Sequence, residues 1–127
     1  MDTSALVKLV VAEQESLPLQ SFLRERGGDS LFSAALARTE LIRAVAPNGT
    51  QAIADARNLL SSLDTVVLTR QLLDDAGTLQ PVRLRSLDAI HLVAAQRAGD
   101  TLRAVVTYDA RMLSAAADLG IETVSPR

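Results

Sequence analysis

The chain has no cysteine, which excludes disulfides and thiolate metal sites and agrees with a cytoplasmic setting. Aromatic residues make up only 2% of it, Phe22, Phe32 and Tyr108. The core must therefore be built from Leu, Val, Ile and Ala, and stacking of single-stranded bases is closed as a main binding mode. No apolar run reaches the roughly 18 residues that span a bilayer, and the amino terminus carries no signal-peptide pattern. A net charge of −2 gives no global basic field of the kind that marks a nucleic-acid binder. Lys8 is the single lysine, against twelve arginines. Arginine suits bidentate phosphate contacts, although genome composition produces the same bias. What is present is 127 residues, 48% of them hydrophobic, enough for one domain over 1–127 with a single sizeable core.

One stretch organises the rest: Ser86-Leu87-Asp88-Ala89-Ile90-His91-Leu92-Val93-Ala94-Ala95. Seven of the nine residues from Leu87 to Ala95 are apolar, which reads as a helix covered on nearly every side. Asp88 and His91 interrupt the pattern, three apart and so on one face. Ser86 is the candidate N-cap, placing Asp88 in the first turn where the helix dipole favours an anion. A carboxylate on a buried helix demands a positive partner.

Around this helix the chain alternates. Helices are expected from Thr3 or Ser4 to Val11, from Ser16 to Arg26 before Gly27-Gly28, over Ala34–Ala46, and over Gln51–Leu63 with Thr50 as cap. Gln71–Leu79 with Thr69 as cap, and Ala110–Leu119 ended by Gly120, complete the helical set. Strands are expected at Ser30–Ser33, Thr65–Leu68, Arg103–Thr107 and Ile121–Val124. Such alternation implies a parallel sheet with helices on both faces, and ligands then sit beyond the carboxyl ends of the strands. Asp109 falls there, two residues after Thr107.

Each acid also has an ordinary explanation. Asp88 can simply stabilise its own helix from the first turn. Glu40, with Leu36 and Ala44 at i−4 and i+4, shares a stripe that looks inward, or pairs with Arg43 at i+3. Asp109 can cap the helix starting at Ala110, which is compatible with holding a metal through its spare lone pairs. Asp2 can be a solvated terminal acid. Glu13, Glu15, Glu25, Asp74, Asp75 and Asp118 read as solvated surface. His91 either orients Asp88 or is a packed, hydrogen-bonded core histidine.

Taken together, four blocks carry a resemblance: Asp2-Thr3-Ser4-Ala5-Leu6-Val7-Lys8-Leu9; Glu40 on a mid-chain helix; the Ser86–Ala95 stretch; and Val106-Thr107-Tyr108-Asp109-Ala110-Arg111-Met112-Leu113. In this order and spacing the chain resembles the PIN-domain ribonucleases over essentially its whole length, and especially the VapC-type toxins of bacterial toxin–antitoxin pairs. The resemblance implies a three-layer α/β/α sandwich with a parallel sheet, and four acids, Asp2, Glu40, Asp88 and Asp109, holding Mg²⁺ or Mn²⁺. It further implies RNA cleavage, a supporting role for Thr107 and Ser4, a homodimer, and a small antitoxin that covers the acidic pocket. The chemistry suits the composition. Crowded carboxylates repel unless cations share their space, hard cations prefer oxygen ligands, and water activated by the metal needs no side-chain nucleophile. One departure stands out. The family has β-forming residues before the first aspartate, whereas only Met1 precedes Asp2, so the first strand is expected to be truncated in the numbered chain.

The alternative is a non-catalytic module on the same fold that holds a partner peptide in the acidic pocket. A phospho-acceptor receiver would need a lysine beyond a late strand, and Lys8 is far too early. A haloacid-dehalogenase reading lacks a second Asp two residues after Asp2. Arg85, Arg111 and Arg43, with Arg38 and Arg83, lie near the acidic blocks and are the candidate phosphate contacts; solvated arginines with local salt bridges are the plain alternative.

Overall fold

A computed structural model describes residues 1–127. Seven α-helices run in chain order: α1 (Thr3–Val10), α2 (Ser16–Glu25), α3 (Ala37–Val45), α4 (Thr50–Ser62), α5 (Arg70–Gly77), α6 (Ser86–Gln96) and α7 (Ala110–Asp118). Four short strands alternate with them: β1 (Phe32–Ala34), β2 (Asp64–Val66), β3 (Val105–Val106) and β4 (Thr123–Val124). The strands pair in parallel as β1 with β2 and β3 with β4. Between the two ribbons lies the extended segment Met1–Asp2. The Met1 nitrogen donates to the Phe32 carbonyl at 2.7 Å and Ser33 Oγ donates to the Met1 carbonyl at 2.6 Å, while the Asp2 amide donates to the Val106 carbonyl at 3.2 Å. Two residues thus hold the central place in the sheet, and the backbone polar groups they offer are paired on both sides.

Helices α1 to α4 cover one face. Leu6, Leu41, Val45 and Leu60 form one apolar cluster there, and Ala5 and Leu19 pack against Val106. Helices α5, α6 and α7 cover the other, where Leu72 and Val93 pack with Ala34 and where Leu92 meets Met112 and Ala116. This is a three-layer α/β/α sandwich. The largest fully buried side chains are leucine, valine, methionine and threonine, with alanines filling the gaps between them, and the three aromatic residues are only half-buried. Burying each such leucine contributes roughly 1.5–3 kcal/mol.

Several local expectations change. Strands are two or three residues long rather than four or five, because only those residues meet a partner backbone. Ser86 is the first residue of α6 rather than its cap; Arg85 precedes the helix in extended conformation and makes no side-chain cap. Gly49, with φ of +98°, takes the cap position before α4 in place of Thr50. Asp2, rather than Thr3 or Ser4, caps α1. Thr69 caps α5 and Asp109 caps α7 as expected. Helix α6 buries Asp88, Ala89 and Leu92 to Ala95 but leaves Leu87 48% exposed, so its cover has one open side.

Candidate active site

Four acids stand at the amino-terminal ends of four helices. Asp2 and Asp109 are the N-caps of α1 and α7, and Glu40 and Asp88 occupy the first turns of α3 and α6. Each helix thereby directs its positive end at its own carboxylate, which offsets part of the cost of gathering negative charge. The four side chains line one cavity of about 320 Å³, with Arg85 and His91 among its other walls.

The acids differ in how they are held. Asp2, only 5% exposed, is fixed on both oxygens: Oδ1 accepts from Ser4 Oγ at 2.7 Å and from the Ala5 amide at 3.2 Å, and Oδ2 accepts from Thr107 Oγ1 at 2.5 Å. Ser4 and Thr107 also reach the other end of the site. Ser4 Oγ accepts from the Tyr108 amide at 2.8 Å, and Thr107 Oγ1 accepts from the Asp109 amide at 3.1 Å. The first turn of α1 is therefore tied to the entry of α7. Both Ser4 and Thr107 thus bond the Asp2 carboxylate, and Thr107 meets Asp109 at its backbone amide.

Asp109 uses Oδ1 to cap α7, accepting from the amides of Arg111 at 2.8 Å and Met112 at 3.3 Å. Its Oδ2 instead faces Arg85 Nη2 at 3.6 Å. Asp88 accepts from Arg85 Nε at 3.1 Å. The positive partner that a buried Asp88 demands is Arg85.

Glu40 does not pair with Arg43; it turns inward to the cavity, as Leu36 at i−4 turns to the core, although Ala44 at i+4 is exposed. Its Oε1 accepts from Thr3 Oγ1 at 2.7 Å and from His91 Nε2 at 2.5 Å. An ionised carboxylate is acceptor-only, so the proton in this contact sits on His91 Nε2. Burial pushes the Glu40 carboxyl up, but the bonds from His91 and Thr3 and the nearby imidazole outweigh it and hold the carboxyl below its usual range. His91 accordingly serves Glu40 and not Asp88. The sequence carries one trace of this: one turn separates Asp88 from His91, so the ring faces the same cavity. The Thr3 contact had no such signal.

Of the candidate phosphate contacts, Arg85 alone lines the acidic cavity. A second cavity of about 390 Å³ adjoins it, sharing Arg85 and Asp88 and walled also by Arg83 and Arg111. Arg43 and Arg38 are exposed on α3 and line neither cavity. The acidic cavity offers all-oxygen donors, the chemistry that Mg²⁺ and Mn²⁺ prefer. No three of its acidic or histidine side chains are grouped closely enough to hold an ion as they stand; Asp88 and Asp109 are turned to Arg85 and Glu40 to His91.

The chain belongs to the PIN-domain family, whose model matches residues 1–118. Among curated proteins the chain is 45% identical over 126 residues to Ribonuclease VapC46 of Mycobacterium tuberculosis (strain ATCC 25618 / H37Rv), covering 99% of this chain and 95% of the relative. It is 43% identical to Ribonuclease VapC47 of strain CDC 1551 / Oshkosh and 40% identical to Ribonuclease VapC35, with the same coverage. No helix is long and apolar enough to cross a membrane.

Proposed function

We propose that the chain is a Mg²⁺- or Mn²⁺-dependent endoribonuclease of toxin type, formed by 1–127 as one nuclease domain. The observation that carries this reading is the gathering of Asp2, Glu40, Asp88 and Asp109 from four helix N-termini around one cavity. The near full-length similarity to proteins named Ribonuclease VapC supports RNA as the substrate.

The four carboxylates are the proposed ligands. A divalent cation held by them supplies charge stabilisation at a phosphodiester and acidifies water at neutral pH. Thr107 and Ser4 keep Asp2 pointed into the cavity and fix its distance from Asp109. His91 and Thr3 do the same for Glu40. Arg85 and Arg111, on the wall shared with the neighbouring cavity, are positioned to bind phosphates flanking the cut. By the same family reading the protein works in the cytoplasm as a homodimer, and a small antitoxin neutralises it by covering the acidic cavity.

The test is cleavage of single-stranded RNA by chelator-treated protein, with and without added Mn²⁺. Cleavage that appears only with Mn²⁺ and is lost in the Asp88→Asn, Asp109→Asn double variant supports the reading. Cleavage in excess chelator would falsify it. One observation favours the second reading, a non-catalytic module that holds a partner peptide: Asp88 and Asp109 are both already paired with Arg85. Absence of any calorimetric signal on Mn²⁺ titration, with a partner peptide still bound, would favour that module.

A further inference from the structure

We propose that Arg85 is a displaceable internal counter-ion, bridging Asp88 and Asp109 in the metal-free protein and competing directly with cations for their oxygens. The inference rests on the metal-site reading above and adds a control element to it.

Arg85 sits in the extended residue before α6, so its side chain crosses from the start of α6 to the start of α7. Its Nε reaches Asp88 Oδ2 at 3.1 Å and its Nη2 lies 3.6 Å from Asp109 Oδ2. These are the two acids to which no other side chain bonds. Asp2 is held by Ser4 and Thr107, and Glu40 by Thr3 and His91. Asp109 spends Oδ1 on the amides of its own helix and has Oδ2 free for a cation. The guanidinium therefore stands where a cation shared between the two acids would bind.

The arginine is also free to leave. Its side chain is 55% exposed, against 12% for Asp88. With its guanidinium open to solvent, the pair is screened by salt and weaker than a fully buried one. The neighbouring cavity, which Arg85 already lines beside Arg111, gives it a place to go and a polyanion to meet there. One residue thus offsets part of the acids' charge when no cation is present and is released towards the phosphate-binding wall when one arrives.

The experiment is calorimetric titration of chelator-treated protein with Mn²⁺ alone, comparing the parent with Arg85→Gln, Arg85→Lys and, as a charge control, Arg57→Gln on the exposed side of α4. Thermal melts with and without Mn²⁺ run alongside. Arg85→Gln is expected to bind Mn²⁺ about three- to tenfold more tightly, the range set by losing two solvent-screened ion pairs. Its melting temperature should be lower in chelator and should rise more on adding Mn²⁺. Arg85→Lys, which keeps the charge without the fork, should fall between, and Arg57→Gln should stay within about twofold of the parent, since Arg57 lines neither cavity. Equal or weaker Mn²⁺ binding by Arg85→Gln, with parent binding still abolished by Asp88→Asn, overturns the counter-ion role and leaves the metal site standing. No Mn²⁺ binding by either protein overturns both.

Discussion

Thr107 shows how much of the site hangs on one hydroxyl. The residue is fully buried, and its Oγ1 donates to Asp2 and accepts from the Asp109 amide. Thr107→Val keeps the shape and removes both bonds, leaving a buried carboxylate oxygen and a backbone amide short of partners. The expected loss is about 1–3 kcal/mol of stability in urea denaturation, with weaker Mn²⁺ binding by calorimetry, whereas Thr107→Ser should restore most of both. At this scale the acids themselves were legible in sequence. Asp88 interrupts an apolar run, Asp109 follows a strand, and each lies where a helix begins. Their partners were less so. Arg85, three residues from Asp88, is found by helical spacing, but His91 and Glu40 are 51 positions apart, and only the fold, which brings residues of α3 and α6 to one cavity from the two sides of the sheet, could join them.

Among the elements, α6 is the one on which the second layer depends. Leu92 is completely buried against Met112 and Ala116 of α7, and Leu92→Ala is expected to cost about 2–5 kcal/mol, read as a lower denaturation midpoint. Helix α5 is tied to the end of α6 from outside the core. Asp75 accepts from Gln71 at 2.8 Å and from Arg97 at 2.6 Å, and these bonds hold its carboxyl below the ordinary value. A depressed carboxyl stabilises the fold above its unfolded pKa, and that contribution is lost as pH falls through the folded value. Asp75→Asn should therefore lower the melting temperature slightly at neutral pH, and the two melting curves should meet in acid below the folded pKa. Helices were read from sequence to within a few residues because their apolar period and stop signals are local. Strand ends were not. The Thr65–Leu68 run is β-branched throughout its first half, yet pairing ends at Val66 and Val67 is 67% exposed, because only a neighbouring backbone decides where a ladder stops. Caps failed where a residue could begin the helix as easily as precede it, as at Ser86 and Thr50.

For the molecule as a whole, the layered topology follows from alternation alone, and it brings residues from positions 2, 40, 88 and 109 to one end of the sheet. What the topology does not determine is the state of that end. Without a cation, the negative charge is met by Arg85 and by the hydrogen bonds from Thr107, Ser4, Thr3 and His91. This arrangement explains how so many carboxylates tolerate one cavity, and it gives each of them different partners. The most direct measurement is RNA cleavage by chelator-treated protein as Mn²⁺ is added back, with the Asp88→Asn, Asp109→Asn variant in parallel. Cleavage should be absent in chelator, rise saturably with Mn²⁺, and stay at background in the variant. Equal cleavage with and without the metal, or by the variant, contradicts the account.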